Sequence, residues 1–274
     1  MRWIQNLAKT VGNILFWTNS SMRKVTEKNL AIAYPQMSFD ERSRLAQQSL
    51  QSQCMTYAES VKVWGSKPEF AIEQIQQVHQ LEIFLDALKN PNGCLAVVPH
   101  FGTWEILNAW LCQYTTPVIL YKPSKHEDID RFMLEARQRL SSTLVPTDEN
   151  GVRVLFKHLK QGGFSVILPD HVPKASGGIY SPFYGQNALS STLLSKLAGK
   201  TQCSVVGLSC LRRDDLSGFD IIVTALSDDI RSKDLQLSVD TLNQEMERMI
   251  NIAPAQYLWG YKRFRRLLGQ KTPY

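Results

Sequence analysis

The chain has no run of about 18 or more apolar residues, so nothing in it is long enough to cross a bilayer as a helix. Its longest uncharged run, 175–195, is filled with Ser, Gly, Asn and Pro. The N-terminus lacks a cleavage-site pattern, and no signal peptide is expected. The five cysteines (Cys54, Cys94, Cys112, Cys203, Cys210) form no Cys-x-x-Cys pair, which points to buried, reduced thiols in a cytoplasmic compartment. The five histidines (His79, His100, His126, His158, His171) do not fall at ligand spacings, so no metal site is expected. Gly163-Phe164-Ser165-Val166-Ile167 fails the nucleophile elbow at its last position, and there is no Gly-x-Gly-x-x-Gly. Gly199-Lys200-Thr201 resembles the end of a phosphate-binding loop, but Leu194 stands where its first glycine belongs. No nucleic-acid-binding motif is present, and no nucleic-acid partner is expected.

What is present is a chain of 274 residues, long enough for one sizeable α/β core or two small domains. Its 43% hydrophobic and 20% charged residues are those of an ordinary folded protein rather than a disordered one. A net charge of +6 favours an anionic partner: nucleic acid, which the charge alone would permit, an anionic membrane or an acidic carrier protein.

Trp3, Leu7, Val11, Ile14 and Leu15 keep helical spacing, closed by Phe16 and Trp17 and flanked by Arg2, Lys9, Arg23 and Lys24. Such a segment suits a membrane interface, and somewhat better a helix packed on the protein's own core. Residues 23–90 read as helical. Ser38-Phe39-Asp40-Glu41 has the form of a capping box opening a helix towards Trp64, and Gly65-Ser66-Lys67-Pro68 breaks it. From residue 91 strands and helices alternate, with a long polar loop at 169–187 and a hairpin expected from 204–211 and 219–225. The fold class expected is α/β: a central mostly parallel or mixed sheet flanked by helices, with a helical N-terminal region. The chain is expected to form a single domain at 1–274, with an amphipathic membrane-associating segment at 1–22, a helical region at 23–90 and an α/β core at 91–274.

The stretch that carries chemistry is Leu95-Ala96-Val97-Val98-Pro99-His100-Phe101-Gly102-Thr103-Trp104-Glu105. The apolar run reads as a buried strand stopped by Pro99, and a helix is expected from about Thr103. His100 and Glu105 are five residues apart, about 500° on a helix, which leaves them roughly 140° apart. They meet only if the turn at Gly102 swings Glu105 back. The functional expectation is a histidine base oriented by Glu105 at the C-terminal edge of a sheet, and the alternative is an ordinary surface pair at a helix start. Pro169-Asp170-His171 ends another strand, followed by the Gly- and aromatic-rich Gly177–Gly185. Near the C-terminus Tyr257-Leu258-Trp259-Gly260-Tyr261-Lys262-Arg263-Phe264-Arg265-Arg266 interleaves aromatics with cations, suited to phosphate or a membrane interface.

Taken in order, these blocks resemble the late acyltransferases of lipid A biosynthesis, within the wider lysophospholipid/glycerolipid acyltransferase superfamily. Arg23 to Leu30 with Tyr34-Pro35 is similar to the family's early segment, and His100 to Glu105 to the superfamily His-x4-Asp/Glu motif. Arg137 and Arg139 are similar to the arginine pair of the next block. Leu168 to His171 with Pro182-Phe183-Tyr184-Gly185 resembles the third, and Gln256 to Phe264 the closing block. Members usually start with an additional hydrophobic anchor helix, so attachment here would rest on the Trp3 to Trp17 segment. Many carry a second Asp where this chain has Val172.

The resemblance implies a glycerolipid-acyltransferase-like fold and transfer of a fatty acyl chain to a hydroxyl of a lipid A precursor. The donor would be acyl-carrier protein or acyl-CoA, the acceptor an anionic lipid, and the place the cytoplasmic face of the inner membrane, held peripherally. His100 and Glu105 are the implied catalytic residues. Arg137, Arg139, Asp170, His171, Phe183, Gly185, Lys262 and Arg263 are the implied substrate-binding residues, with no cofactor. The alternatives are an acyltransferase for another glycolipid or a lysophospholipid, or a catalytically silent membrane-surface binding protein.

Overall fold

A computed structural model describes residues 1–124, 126–140 and 142–274. Three helices come first: α1 (Arg2–Trp17), α2 (Ser21–Ala33) and α3 (Phe39–Trp64). The capping box forms as expected, with Glu41 Oε2 accepting from the Ser38 N–H at 2.8 Å and Ser38 Oγ accepting from the Glu41 N–H at 3.3 Å. Then come α4 (Pro68–Glu73), β1 (Ile75–His79), α5 (Leu81–Ala87), β2 (Cys94–Val97) and α6 (Glu105–Leu111). They are followed by β3 (Val118–Tyr121), α7 (Glu127–Gln138), β4 (Thr143–Pro146), α8 (Glu149–Lys160) and β5 (Phe164–Ile167). The chain continues through β6 (Gly178–Phe183), β7 (Gln186–Ser191), α9 (Leu193–Thr201), β8 (Ser204–Arg212), β9 (Phe219–Ala225) and α10 (Leu235–Ile250).

The central sheet has the order β1-β9-β8-β2-β5. Every neighbouring pair in it is parallel except β8 and β9, the expected hairpin. The architecture is therefore α/β with a mostly parallel sheet and a helical N-terminus, as the alternation of elements implies. All four residues of β2 are buried, the pattern of a strand covered on both faces. Its side chains divide with period two. Leu95 and Val97 join a core built with α8, α9 and α10, whereas Cys94, Ala96 and Val98 pack with α5 and α6. Strands β3 and β4 pair separately, close to β5 through a 2.6 Å bond from Ser165 Oγ to the Val118 carbonyl.

Two elements differ from expectation. The region 23–90 is not wholly helical, because Ile75–His79 forms an edge strand beside β9. Its glutamines carry no strand periodicity, and pairing with the sheet overrides their local preference. The stretch expected as polar loop contains β6 and the start of β7, which pair as an antiparallel hairpin running on to Ser191. Tyr184 and Gly185 form its two-residue turn, both at positive φ (47° and 72°), the geometry that matches the twist of paired strands.

Helix α1 lies on α3 with its less apolar side inward. Gln5, Ala8 and Gly12 are buried, and a Cβ on Gly12 would meet the Gln51 Cα at 2.5 Å, so only glycine allows this approach. Asn13 Oδ1 accepts from Gln47 and Gln51 at 2.9 and 2.7 Å. Trp3 (76% exposed), Leu7 (54%), Val11 (43%) and Ile14 (50%) consequently face away from the protein. The apolar stripe is thus not core packing. Among the described residues no helix is long and apolar enough to cross a membrane.

Beneath α1 sits a buried ion pair. Arg212 of β8 binds Glu59 of α3 through Nε (2.5 Å) and Nη2 (2.6 Å), and also donates to Ser52 Oγ and Thr56 Oγ1 at 3.0 Å each. Glu59 accepts further bonds from Gln5 Nε2 (2.8 Å) and Thr103 Oγ1 (2.6 Å). Arg212→Met leaves the Glu59 carboxylate buried without its counter-charge. Loss of one partner of such a pair costs about 3–5 kcal/mol. Denaturant unfolding should show that loss, and a variant as stable as the wild type would contradict the assigned role.

Candidate active site

Strands β2 and β5 are parallel neighbours with Val97 opposite Ile167. His100 and Asp170 each lie three residues beyond that last pair, so the register alone brings them to the same place on the C-terminal edge of the sheet. The turn that carries His100 is fixed on several sides. The His100 carbonyl accepts from the Leu258 N–H at 3.0 Å, the Gly102 N–H donates to the Gln256 carbonyl at 3.0 Å, and the Thr103 N–H to the Cys210 carbonyl at 2.8 Å. Gly102 has φ +65°, and a Cβ there would lie 2.0 Å from the Cys210 oxygen, so no other residue fits.

Asp170 is buried and holds His100 twice. Its Oδ2 accepts from the His100 backbone N–H at 3.0 Å, and its Oδ1 lies 2.8 Å from Nδ1. That contact places the ring proton on Nδ1 and leaves Nε2 with its lone pair free. Burial alone would raise the Asp170 pKa, but the bonds and charge of His100, aided by His171, outweigh it and hold the carboxyl far below its usual range. Tyr257, buried beside Asp170, has its phenol pushed well up by burial and by that carboxylate, so it stays neutral.

Glu105 does not orient His100. Its carboxylate is taken by Arg137 Nη2 (2.7 Å), Trp64 Nε1 (2.9 Å) and Asn108 Nδ2 (3.1 Å). Helix α6 begins only at Glu105 and projects that side chain towards α3 and α7, so the Gly102 turn does not undo the angular separation. The histidine and the glutamate of the motif therefore serve different groups around one cavity.

That cavity has a volume of about 630 Å³, within the range of small-ligand sites. Its apolar walls include Leu107, Leu111, Ile119, Leu120 and Met133, and its polar groups include His100, Glu105, Arg137, His171 and Lys122. The Arg137 Nε is buried with no hydrogen-bond partner among the described residues. A long apolar chain and one negative group match this lining.

The other expected site residues are dispersed. Arg139 is exposed and bonds the Trp64 carbonyl, and Lys262 is exposed with its ammonium 5.6 Å above the Tyr274 ring. Arg263 is buried away from solvent, bonded to the Leu189 carbonyl (3.0 Å) and Ser190 Oγ (2.7 Å) over the Phe183 ring. Phe183 is core, and Gly185 is the turn of the β6–β7 hairpin. None of these five lines the cavity. Trp64 and Tyr261, which the sequence reading did not single out, do belong to the site: the first bonds Glu105 and the second stacks on His171. Each acts across chain segments far apart in sequence, and no local spacing reports such contacts.

The site thus joins a histidine with a buried carboxylate behind it to an apolar cavity and an arginine held by a second carboxylate. The comparisons agree in class. Residues 1–266 match the family described as bacterial lipid A biosynthesis acyltransferase, and the chain belongs to that family. It is similar to a lipid A biosynthesis palmitoleoyltransferase of Escherichia coli K12, 24% identical over 91% of this chain and 81% of the relative. It is also similar to a lipid A biosynthesis lauroyltransferase of the same strain, 25% identical over 88% and 78%. A lipid A biosynthesis acyltransferase of Haemophilus influenzae is 24% identical over 91% and 79%. The protein is an acyltransferase.

The site also sets how stability varies with pH. The His171 pKa is lowered to about 4, first by burial of its ring and then by charge on His100. For both His171 and Asp170 the unfolded chain takes up its proton first as pH falls, so both lose stability in acid. Stability should decline from about pH 6.5 to about 4 through His171, and further below about 4 through Asp170. His171→Phe should flatten the upper segment and Asp170→Asn the lower one in denaturant midpoints measured against pH. Parallel curves for all three proteins would contradict this.

Proposed function

We propose that this protein moves a fatty acyl chain from an acyl thioester, on acyl-carrier protein or CoA, to a hydroxyl of a lipid A precursor, with His100 as general base. The observation that carries the reading is the His100–Asp170 pair opening onto the apolar cavity. Nε2 takes the acceptor's hydroxyl proton as the oxygen attacks the thioester carbonyl. The tetrahedral intermediate collapses, the C–S bond breaks, and the leaving thiolate recovers that proton from Nε2. Asp170 stabilises the imidazolium between these steps without itself becoming protonated.

Arg137, held by Glu105, supplies the positive charge that meets the acceptor's phosphate or the developing oxyanion. Glu105 is then a positioning residue for that arginine. The net charge of +6 favours an acidic carrier protein as donor. Lys262 and Arg265, both exposed, lie on the same C-terminal segment and can meet either carrier or lipid phosphate.

His100→Ala should lower thioester-dependent turnover by about 10²–10⁴ in a folded protein, the usual cost of losing a general base. Unchanged turnover would refute the mechanism. The two carboxylates should separate in a pH–rate profile. Asp170→Asn should displace the limb belonging to His100, whereas Glu105→Gln should lower the rate and leave that limb in place. A shift caused by Glu105→Gln alone would return the orienting role to Glu105.

The location proposed is peripheral, on the cytoplasmic face of the inner membrane, through the outward stripe of α1. Trp3, Leu7, Val11 and Ile14 would enter the interface with Arg2 and Lys9 near anionic head groups. The apolar surface continues towards the cavity: Ile4, Val61 and Phe132 line one shallow groove, and Val61 also lines the His100 cavity. Leu7 and Val11 make no core contact, so L7E/V11E should keep the fold. In flotation assays it should release the protein from anionic vesicles, and full retention would exclude α1 as the contact.

A further inference from the structure

His171 was expected to bind substrate, but its contacts are of another kind. Its ring lies 3.9 Å from that of His100, centroid to centroid, with 8° between the planes. On the opposite face Tyr261 stacks at 4.2 Å and 25°. Tyr261 is fixed in turn: its hydroxyl accepts from the Val172 N–H at 3.0 Å, and the Arg265 guanidinium sits 5.7 Å over its ring while donating to the Val172 carbonyl at 3.1 Å. Trp104 meets His100 edge-on, with centroids 5.0 Å apart and planes at 77°. Both faces of the His171 ring are thus covered while the rest of the residue reaches solvent, and among the described residues neither ring nitrogen has a hydrogen-bond partner.

Asp170 fixes His100 at one ring atom and the backbone, which leaves rotation of the ring about that contact to be restrained by something else. A flat neighbour in contact with one whole face supplies that restraint. Stacked rings hold each other by dispersion and offset electrostatics, without any proton on offer. A neutral neighbour also tolerates the positive charge that forms on His100 during transfer, whereas a cation in the same place would oppose it.

We infer that His171 is a positioning residue, the middle ring of a His100–His171–Tyr261 stack that sets the plane of the base and so the direction of its free nitrogen. This rests on His100 being the base. The ring's shape matters and its nitrogens do not. That separates His171 from a substrate ligand, which would act through hydrogen bonds and register in KM, and from a second base, which would need its lone pair.

The test is steady-state kinetics with an acyl thioester donor and a lipid A precursor as acceptor, on His171→Ala, His171→Phe, Tyr261→Leu and His100→Ala. Misdirecting a catalytic group commonly costs about 10-fold to 10²-fold. His171→Ala is expected to lower kcat by about 10-fold with KM little changed, and Tyr261→Leu to fall between it and the wild type. His171→Phe, which restores a flat ring, is expected to recover most of the lost kcat. Equal losses in the Ala and Phe variants would show that the imidazole nitrogens are required and overturn the inference. Wild-type kcat in the Ala variant would overturn it too, as would a rise in KM alone. Activity surviving in His100→Ala overturns the base assignment itself, whatever the His171 variants do.

Discussion

The buried pairing of Arg212 with Glu59 is the constraint on which the rest of the molecule depends. One guanidinium and one carboxylate, both out of water, collect a strand of the sheet, the long third helix, the N-terminal helix through Gln5 and the turn after His100 through Thr103. Burying such charges is expensive, and well-packed apolar residues often serve stability as well. Its distinctive contribution is directional. Bonds to the serine and two threonines around the pair allow one arrangement of these four segments. Gln256, bonded to both the N–H and the carbonyl of Arg212 at 2.9 Å, extends the arrangement to the C-terminal block.

With the turn anchored, the parallel register of β2 and β5 does the remaining work at the site. Two loops leave the sheet side by side, one with His100 and the other with Asp170, and each carries an aromatic ring against the imidazole of His100. The two carboxylates of the site are thereby divided. Asp170 holds His100, and Glu105 holds Arg137. Wrapped between them is a cavity whose walls are largely apolar and whose charged lining includes Lys122 and the Arg137–Glu105 pair. The helix that faces outward with its apolar side stands beside the same cavity, which suits an enzyme whose acceptor is an amphiphile.

Much of this was legible in the sequence. The alternation of short apolar runs with amphipathic stretches revealed the α/β class, and the Ser38 capping box located the long helix. Pro99 and Gly102 marked the turn that carries His100. What sequence could not supply was which carboxylate meets the histidine. The spacing of His100 and Glu105 is a local quantity, whereas the bond to Asp170 spans 70 residues and exists only through strand register. Arg263 misled for a related reason: in a run of cations, burial is set by the hairpin that covers it, and nothing in the run distinguishes it from Lys262. The β6–β7 hairpin was hidden because its strands, Gly178–Phe183 and Gln186–Ser191, hold Pro182 and several small or polar residues and no clear apolar alternation.

The protonation of the two His100 nitrogens is the most direct test of the base assignment. Nitrogen-15 correlation spectra of the imidazole, recorded near neutral pH, distinguish a ring that carries its proton on Nδ1 from one that carries it on Nε2. With Asp170 as orienting carboxylate, the neutral ring of His100 must be the Nδ1–H form, and Asp170→Asn must disturb that preference while Glu105→Gln leaves it alone. A neutral His100 protonated on Nε2, or one indifferent to Asp170, would contradict the assignment.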